Sequence, residues 1–351
     1  MIFVLIILLL LIFNNSKIYG TNSFNKDYMS KSSTTAINGL FVIIVILRHY
    51  SEYVSWQGVL DQPFVTFNYL LSQLLVVTFL FYSGYGMMEQ LRKKGFDYVK
   101  KIPSKWIELF VKFDIAVLLY LILGLLLGKV FTVSQVFLSF LGWESLGNSN
   151  WYIFVILSLY ILMFISFYIL KFKNSDFNKY LSTFILFIFS VLLVYVLMKS
   201  GKASHWYNTL FIFPIGVLYS LIKDRINKFV MKNDINYLLA LSITTGLFFL
   251  SFIFRFRYGI ESYTVWVISF MALILLITMK INIKNELLVW LGSHVFSIYI
   301  LQRLIMMILN YFGYTQNHRY ICLIVVFVGT CFIAAIFDKY TDKIFCRGKK
   351  I

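Results

Sequence analysis

The sequence predicts an all-α, polytopic membrane protein, with about ten transmembrane helices behind a short N-terminal apolar segment. Three observations carry this. Hydrophobic residues make up 60% of the 351 and charged residues 13%, against about 45–50% and about 25% in soluble domains. A chain so composed cannot clothe its apolar interior in polar surface, so lipid must be its main solvent. Ten apolar runs reach the roughly 17–25 residues that a helix needs to cross a bilayer, and Lys and Arg gather in alternate loops between them.

Taken in order, the first apolar run is Ile2–Phe13. It is short for a span. No basic residue precedes it and no small-residue cleavage site follows, as a signal peptide would want. It is expected to be a short extra span or an interfacial anchor, followed by a polar stretch to Thr35. The ten long runs lie at about 36–54, 64–88, 106–128, 151–170, 181–198, 206–222, 237–254, 263–279, 287–309 and 320–337. With no water in the hydrocarbon every backbone N–H needs an internal partner, so these runs are helical. Alternating ten-residue segments, the mark of an outer-membrane barrel, are absent. The organisation is therefore an N-terminal segment and polar linker (1–30), a membrane domain (31–340) and a basic cytoplasmic tail (341–351). No matched pair of Gly/Pro-broken spans marks a transporter-type repeat; proline occurs only at 63, 103 and 214. Nothing in the sequence sets an oligomeric state.

Orientation follows from the loops. If the run at 36–54 is entered from the cytoplasm, the cytoplasmic loops and tail hold 20 Lys and Arg and the external loops 6. Short-loop Lys/Arg bias sets topology. The net charge of +17 is thus mainly a topology signal, not a nucleic-acid surface, and a soluble enzyme and a disordered chain are excluded with it. Most of the aromatic residues, including Trp106, Trp143, Trp206 and Tyr207, belong near span ends, where amphipathic rings favour the headgroup level. Cys322 and Cys331 lie in an apolar run and Cys346 in the basic tail; no Cys/His spacing for a metal occurs.

Charges within a span are costly and mark function. Removing loop residues leaves Arg48, His49 and Glu52 on the first long run, Glu108, Lys112 and Asp114 on the third, and His294 and Arg303 on the ninth. The first run is densest. Eleven helical steps place Asn38 and His49 on one face about 16 Å apart. Glu52, three residues past His49 and four past Arg48, is within reach of both, to orient the imidazole or neutralise the guanidinium. Histidine carries protons near neutral pH. The alternative for a lone His near a span end is an interfacial side chain.

The second run closes on Phe79-Leu80-Phe81-Tyr82-Ser83-Gly84-Tyr85-Gly86. Its small residues let a helix or a ligand approach the backbone closely, helix packing being the simpler reading. Residues 92–105 then carry six basic side chains, Lys100, Lys101 and Lys105 among them. These attract lipid headgroups at about 1 kcal/mol each, or capture a phosphorylated cytoplasmic ligand.

Together these pieces resemble the acyltransferase-3 family of integral membrane O-acyltransferases over about residues 30–340. His49 falls at that family's first-helix His, and Phe79 to Tyr85 match its Phe-Phe-x-x-Ser-Gly-Tyr stretch. Asn150-Trp151-Tyr152-Ile153-Phe154 is similar to the aromatic opening of its fourth core helix. Leu291-Gly292-Ser293-His294-Val295-Phe296-Ser297-Ile298-Tyr299-Ile300-Leu301-Gln302 is similar to its late Leu-Gly-x-x-Ser-x-x-x-Tyr-Leu-x-His pattern. Three positions depart. Asn38 stands where the family has an Arg, and Arg48 lies about 80° round the helix from that face. Lys105-Trp106-Ile107-Glu108 is the nearest register to its Arg-x-x-Arg element, and Gln302 takes the place of the late His, with Arg303 following.

The resemblance implies transfer of an acyl group, acetyl by family habit, from cytoplasmic acyl-CoA to a hydroxyl of an extracytoplasmic or lipid-linked glycan, with acetyl-CoA a substrate and no bound cofactor or metal. On that reading His49 is general base or covalent acyl carrier. Glu52 fixes its tautomer, and Arg48 or Asn38 donates to the developing oxyanion. Ser83, Tyr85, Trp151, Tyr299, Gln302 and Arg303 line the substrate path, and Lys100, Lys101 and Lys105 hold the CoA phosphates. The alternative readings are a polysaccharide transporter or polymerase, whose buried charges line a substrate path without acyl transfer, and a catalytically lapsed scaffold.

Overall fold

In the computed structural model, which describes residues 1–173 and 175–347, the chain is a helical bundle. The side chain of Cys346 and residues 348–351 of the basic tail lie outside the described residues. The elements run α1 Ile2–Phe13, β1 Lys17–Ile18, α2 Lys31–Tyr50, α3 Gln62–Leu71, α4 Val77–Lys94, α5 Phe96–Val99, α6 Ile102–Leu126, α7 Val133–Phe140 and α8 Trp151–Ile169. They continue with α9 Asp176–Lys199, α10 Ile212–Val230, α11 Asp234–Phe254, α12 Ile260–Lys280, β2 Ile281–Asn282, α13 Glu286–Ser293, α14 Val295–Tyr311, α15 Tyr314–Asn317 and α16 Arg319–Arg347.

Among the described residues eight helices are long and apolar enough to cross a membrane, nine when α13 and α14 are joined as one span bent by 81°. The protein is thus a multi-pass, all-α membrane protein. The one expected run without a candidate span, 206–222, contributes to α10, whose second half carries Lys223, Asp224, Arg225 and Lys228. The run expected at 64–88 lies within a single candidate span, Val59–Lys94, that is not a continuous α-helix. It breaks between α3 and α4 into a 3-10 turn, Ser72–Val76, with Ser72 at φ +42°. Non-helical backbone at membrane depth is tolerated where it lines a cavity, and Ser72 and Gln73 do line one.

α2 is the central helix, capped at its start by the Ser30 side chain accepting from Ser33 N–H, and it buries most of its length, whereas α11 at the periphery buries little. Two glycine pairs set how tightly the centre packs. A Cβ on Gly39 of α2 would collide with the Leu288 carbonyl of α13, and one on Gly292 of α13 with the Thr35 carbonyl of α2. The same reciprocal contact joins α4 and α10: Gly84 against the Phe213 carbonyl, Gly216 against that of Phe81. Small residues let helix backbones touch in this way inside a membrane. Gly86, two residues from Gly84, meets nothing and lines a cavity instead.

At the end of the bundle that the loop charges assign to the cytoplasm, called here the basic end, β1 pairs antiparallel with β2. Lys280 there bonds Asp234 at 2.8 Å and the carbonyls of Gly20 and Ser23. α1 runs from the opposite end, where the Met1 amino group contacts Asp61 at 2.6 Å, to Leu11, whose carbonyl accepts from Asn285 Nδ2.

Candidate active site

Two cavities enter the bundle from opposite ends and share Tyr299 as a wall. The basic-end cavity, about 560 Å³, is lined by Lys31 and Lys93 near its entrance and by Asn38, Tyr82, Ser83, Tyr85, Gly86, Tyr152, Tyr160 and Tyr299 within. The opposite cavity, about 450 Å³, is lined by Arg48, His49, Glu52, Ser149, Trp151, His205, Tyr299 and Arg303. Both volumes fall in the roughly 300–1,000 Å³ range of small-molecule sites. Asn38 and His49 do occupy one side of α2, yet each faces a different cavity.

His49 is buried at the inner end of the second cavity. Its Nε2 lies 3.4 Å from Ser149 Oγ, its Nδ1 makes no close hydrogen bond, and the Gln302 side chain also reaches the imidazole. Ser149 comes from the loop 141–150, whose shape the sequence dictates locally. Gly142 and Gly147 adopt φ of +72° and +115°, where side chains are strained. Asn150 Nδ2 donates to the Gly142 and Glu144 carbonyls, and Asn148 Oδ1 accepts from Leu146 N–H. So tied, the loop ends at the first turn of α8 with Ser149 turned to the imidazole.

Arg303 completes the site from α14. Its Nε donates to Ser149 Oγ at 2.7 Å and its Nη2 to Glu52 Oε2 at 2.6 Å. The chain of contacts is therefore Glu52, Arg303, Ser149, His49. This differs from the helix-spacing expectation: Glu52 reaches neither His49 nor Arg48, because α2 ends at Tyr50 and the turn after it swings the carboxylate toward α14. Arg48 is exposed on the cavity wall. Tyr299, one helical turn before Arg303 on the same face, sets its ring 5.9 Å from the imidazole and 4.9 Å from that of Tyr152. Its hydroxyl and those of Tyr82 and Asn38 Oδ1 are buried without protein partners, which leaves acceptors and donors for a ligand.

The remaining expected residues are placed as follows. Ser83 Oγ bonds Tyr160 OH at 2.8 Å and Tyr85 OH accepts from Lys223 at 3.0 Å, both on the basic-end cavity. Trp151 meets His205 edge-on at 5.6 Å. Gln302 is buried behind Tyr299, donating to its carbonyl, and lines neither cavity. Lys100, Lys101 and Lys105 do not line the basic-end cavity; Lys105 is folded onto Tyr98 OH at 2.9 Å and Lys100 faces Asp97. Lys31 and Lys93 line that cavity. Sequence reasoning missed Ser149 and Tyr152; the run Gly147-Asn148-Ser149-Asn150 before Trp151 was the available signal.

Of the other span charges, His294, Lys112 and Glu108 belong to a separate cluster, while Asp114 Oδ1 is buried without a partner. His294 Nδ1 and Ser297 Oγ both contact the Asp338 carboxylate at 2.5 Å, and Lys112 reaches Asp342 at 2.7 Å and Glu108 at 3.5 Å. They tie the bend between α13 and α14 to α6 and α16. No group of His, Cys, Asp and Glu among the described residues could hold a metal.

Comparison with known proteins gives the class to which this arrangement belongs: residues 35–337 match the family model of an acyltransferase domain. The chain belongs to the acyltransferase-3 family, with most of its length inside the match. No curated protein and no solved structure matches it.

Proposed function

We propose that this membrane acyltransferase carries an acetyl group from cytoplasmic acetyl-CoA to a hydroxyl of an extracytoplasmic or lipid-linked glycan, as an O-acetyltransferase of a bacterial cytoplasmic membrane. One observation supports this above the rest: a cavity from the basic end and a cavity from the opposite end meet at Tyr299 beside His49. Neither CoA nor a glycan crosses lipid, so each must arrive from its own side. Lys31 and Lys93 meet the CoA phosphates as charged donors, and the acyl chain lies among Tyr82, Ser83, Gly86 and Tyr152.

In the transfer the acceptor hydroxyl oxygen bonds the thioester carbonyl carbon, its proton passes to His49, and the C–S bond breaks to release the thiolate. Arg303, paired with Glu52, holds Ser149 against Nε2 and so orients the imidazole. The same dyad also fits an acyl group passing through His49. The test is purified full-length protein with radiolabelled acetyl-CoA and glycan from a strain lacking the gene. Label should enter the glycan with wild type and not with His49→Ala. Glycan flux without label transfer would instead favour the transporter reading.

A further inference from the structure

A third cavity, about 340 Å³, lies beside the His49 cavity at the same end and shares Arg48 and Ser72 with it. Its wall is unusual for a membrane protein. Two guanidinium groups, Arg48 and Arg255, line it and no acidic residue does. Among the described residues neither has a carboxylate within ion-pair distance, while Arg303 next door is paired with Glu52. Arg255 is only 6% exposed. Its Nη2 donates to Tyr69 OH at 3.1 Å and Nη1 to the Phe252 carbonyl, and its plane lies over Phe252 at 3.7 Å and Phe256 at 4.6 Å. Its Nε has no partner. A buried cation without a counter-charge is costly, and aromatic faces offset part of that cost.

The second orphan in the cavity is an acceptor. Asn68 is 5% exposed, and its Nδ2 donates to Ser51 Oγ at 3.1 Å, where Trp56 Nε1 also donates at 3.0 Å. Ser51 thereby fixes the Asn68 amide so that Oδ1 is left free. A ligand that satisfies this wall brings an anionic group to the guanidinium pair, a hydroxyl to Asn68 Oδ1, and an apolar face to Trp56, Tyr69 and Phe256.

We propose that this cavity is the acceptor subsite and that it selects an acidic glycan, gripping a sugar carboxylate or a backbone phosphate one unit from the hydroxyl presented to His49. The identity of the occupant as acceptor rests on the acyl-transfer reading; the anion selectivity does not. Binding is therefore measured without acyl-CoA, by calorimetry on the full chain in phosphatidylcholine nanodiscs, using trigalacturonate, a glycerol-phosphate trimer and neutral galactotriose. At least one anionic probe should bind about tenfold or more tighter than galactotriose, and which one does separates carboxylate from phosphate. Arg48→Gln, at an exposed position, should erase the preference and Arg48→Lys retain part of it. Arg255→Lys, with thermal unfolding as the check on folding, should weaken it as well. Equal affinity for charged and neutral probes overturns the proposal, as does a preference indifferent to both arginines. Loss of anion binding in nanodiscs containing phosphatidylglycerol also overturns it, assigning the cavity to a lipid headgroup. If anion binding fails while His49-dependent transfer persists, only this subsite falls; if binding holds without transfer, only the catalytic reading does.

Discussion

Tyr299 stands edge-on to His49, its ring centroid 5.9 Å from the imidazole with the planes crossing at 67°, and among the described residues it alone lines both the basic-end and the His49 cavities. On the proposed acyl-transfer reading, this ring stands between the donor thioester and water from the opposite end. Removing the ring in Tyr299→Ala should join the two spaces and let water reach the donor. Thiol release from acetyl-CoA without acceptor is expected to rise about tenfold, while transfer to glycan falls. Tyr299→Phe keeps the ring and should keep the donor protected. The Ala variant also opens a core void worth about 3–5 kcal/mol, so its unfolding temperature is measured alongside. An Ala variant that folds and stays tight to water removes the barrier role.

The Glu52–Arg303 contact tests how the carboxylate acts. If Glu52 works through Arg303 and Ser149, Glu52→Gln and Arg303→Gln should lower the turnover number by similar factors, about tenfold or more, and the double variant should be no worse than the worse single one. Effects that multiply would mean separate roles. Because the Glu52 side chain is 42% exposed and that of Arg303 16%, the stability loss should be larger when Glu52 is removed and the buried cation left alone than when both go.

The family was legible, as the match over residues 35–337 shows; among the candidate site residues, His49 stands out by residue type and by its charged neighbours, and Ser83 and Tyr299 by the resemblance. What escaped was long-range. Helical spacing sees only neighbours on the same helix, so it paired Glu52 with Arg48 or His49, whereas the partner, Arg303, is 251 residues away. Ser149 lies in a polar loop between two apolar runs, where periodicity carries no information. The breaks at Ser72 and His294 fall within apolar runs and at no proline, so both runs read as unbroken helices.

The glycines give a matched pair for packing against function. Gly84→Ala would drive a methyl group into the Phe213 carbonyl, a backbone atom that can yield only if α4 and α10 separate. Overpacking of this kind costs about 1–3 kcal/mol. Gly86→Ala, with nothing near its Cβ position, should fold like wild type and intrude on the basic-end cavity instead. The expectation is a lowered unfolding temperature for Gly84→Ala, and for Gly86→Ala an unchanged one with a raised KM for acetyl-CoA. Gly246→Ala on the outer helix α11, also in open space, serves as the neutral comparison.

His205 is expected to make the stability of the fold depend on pH. It sits outside the spans, in the short turn Ser204–Trp206, packed edge-on against Trp151 at 5.6 Å. Burial holds its pKa below the ordinary 6.5, because desolvation penalises the charged imidazole. The unfolded chain therefore takes up a proton near pH 6.5 that the native protein refuses until a lower pH. Stability attributable to this neutral His is fully present above the unfolded value, declines as pH falls through it, and levels off below the native value. Unfolding temperatures measured between about pH 7.5 and pH 5 should drop for wild type, and the slope over that window should flatten in His205→Gln, which cannot titrate. An unchanged slope in the variant would place the proton uptake on another group.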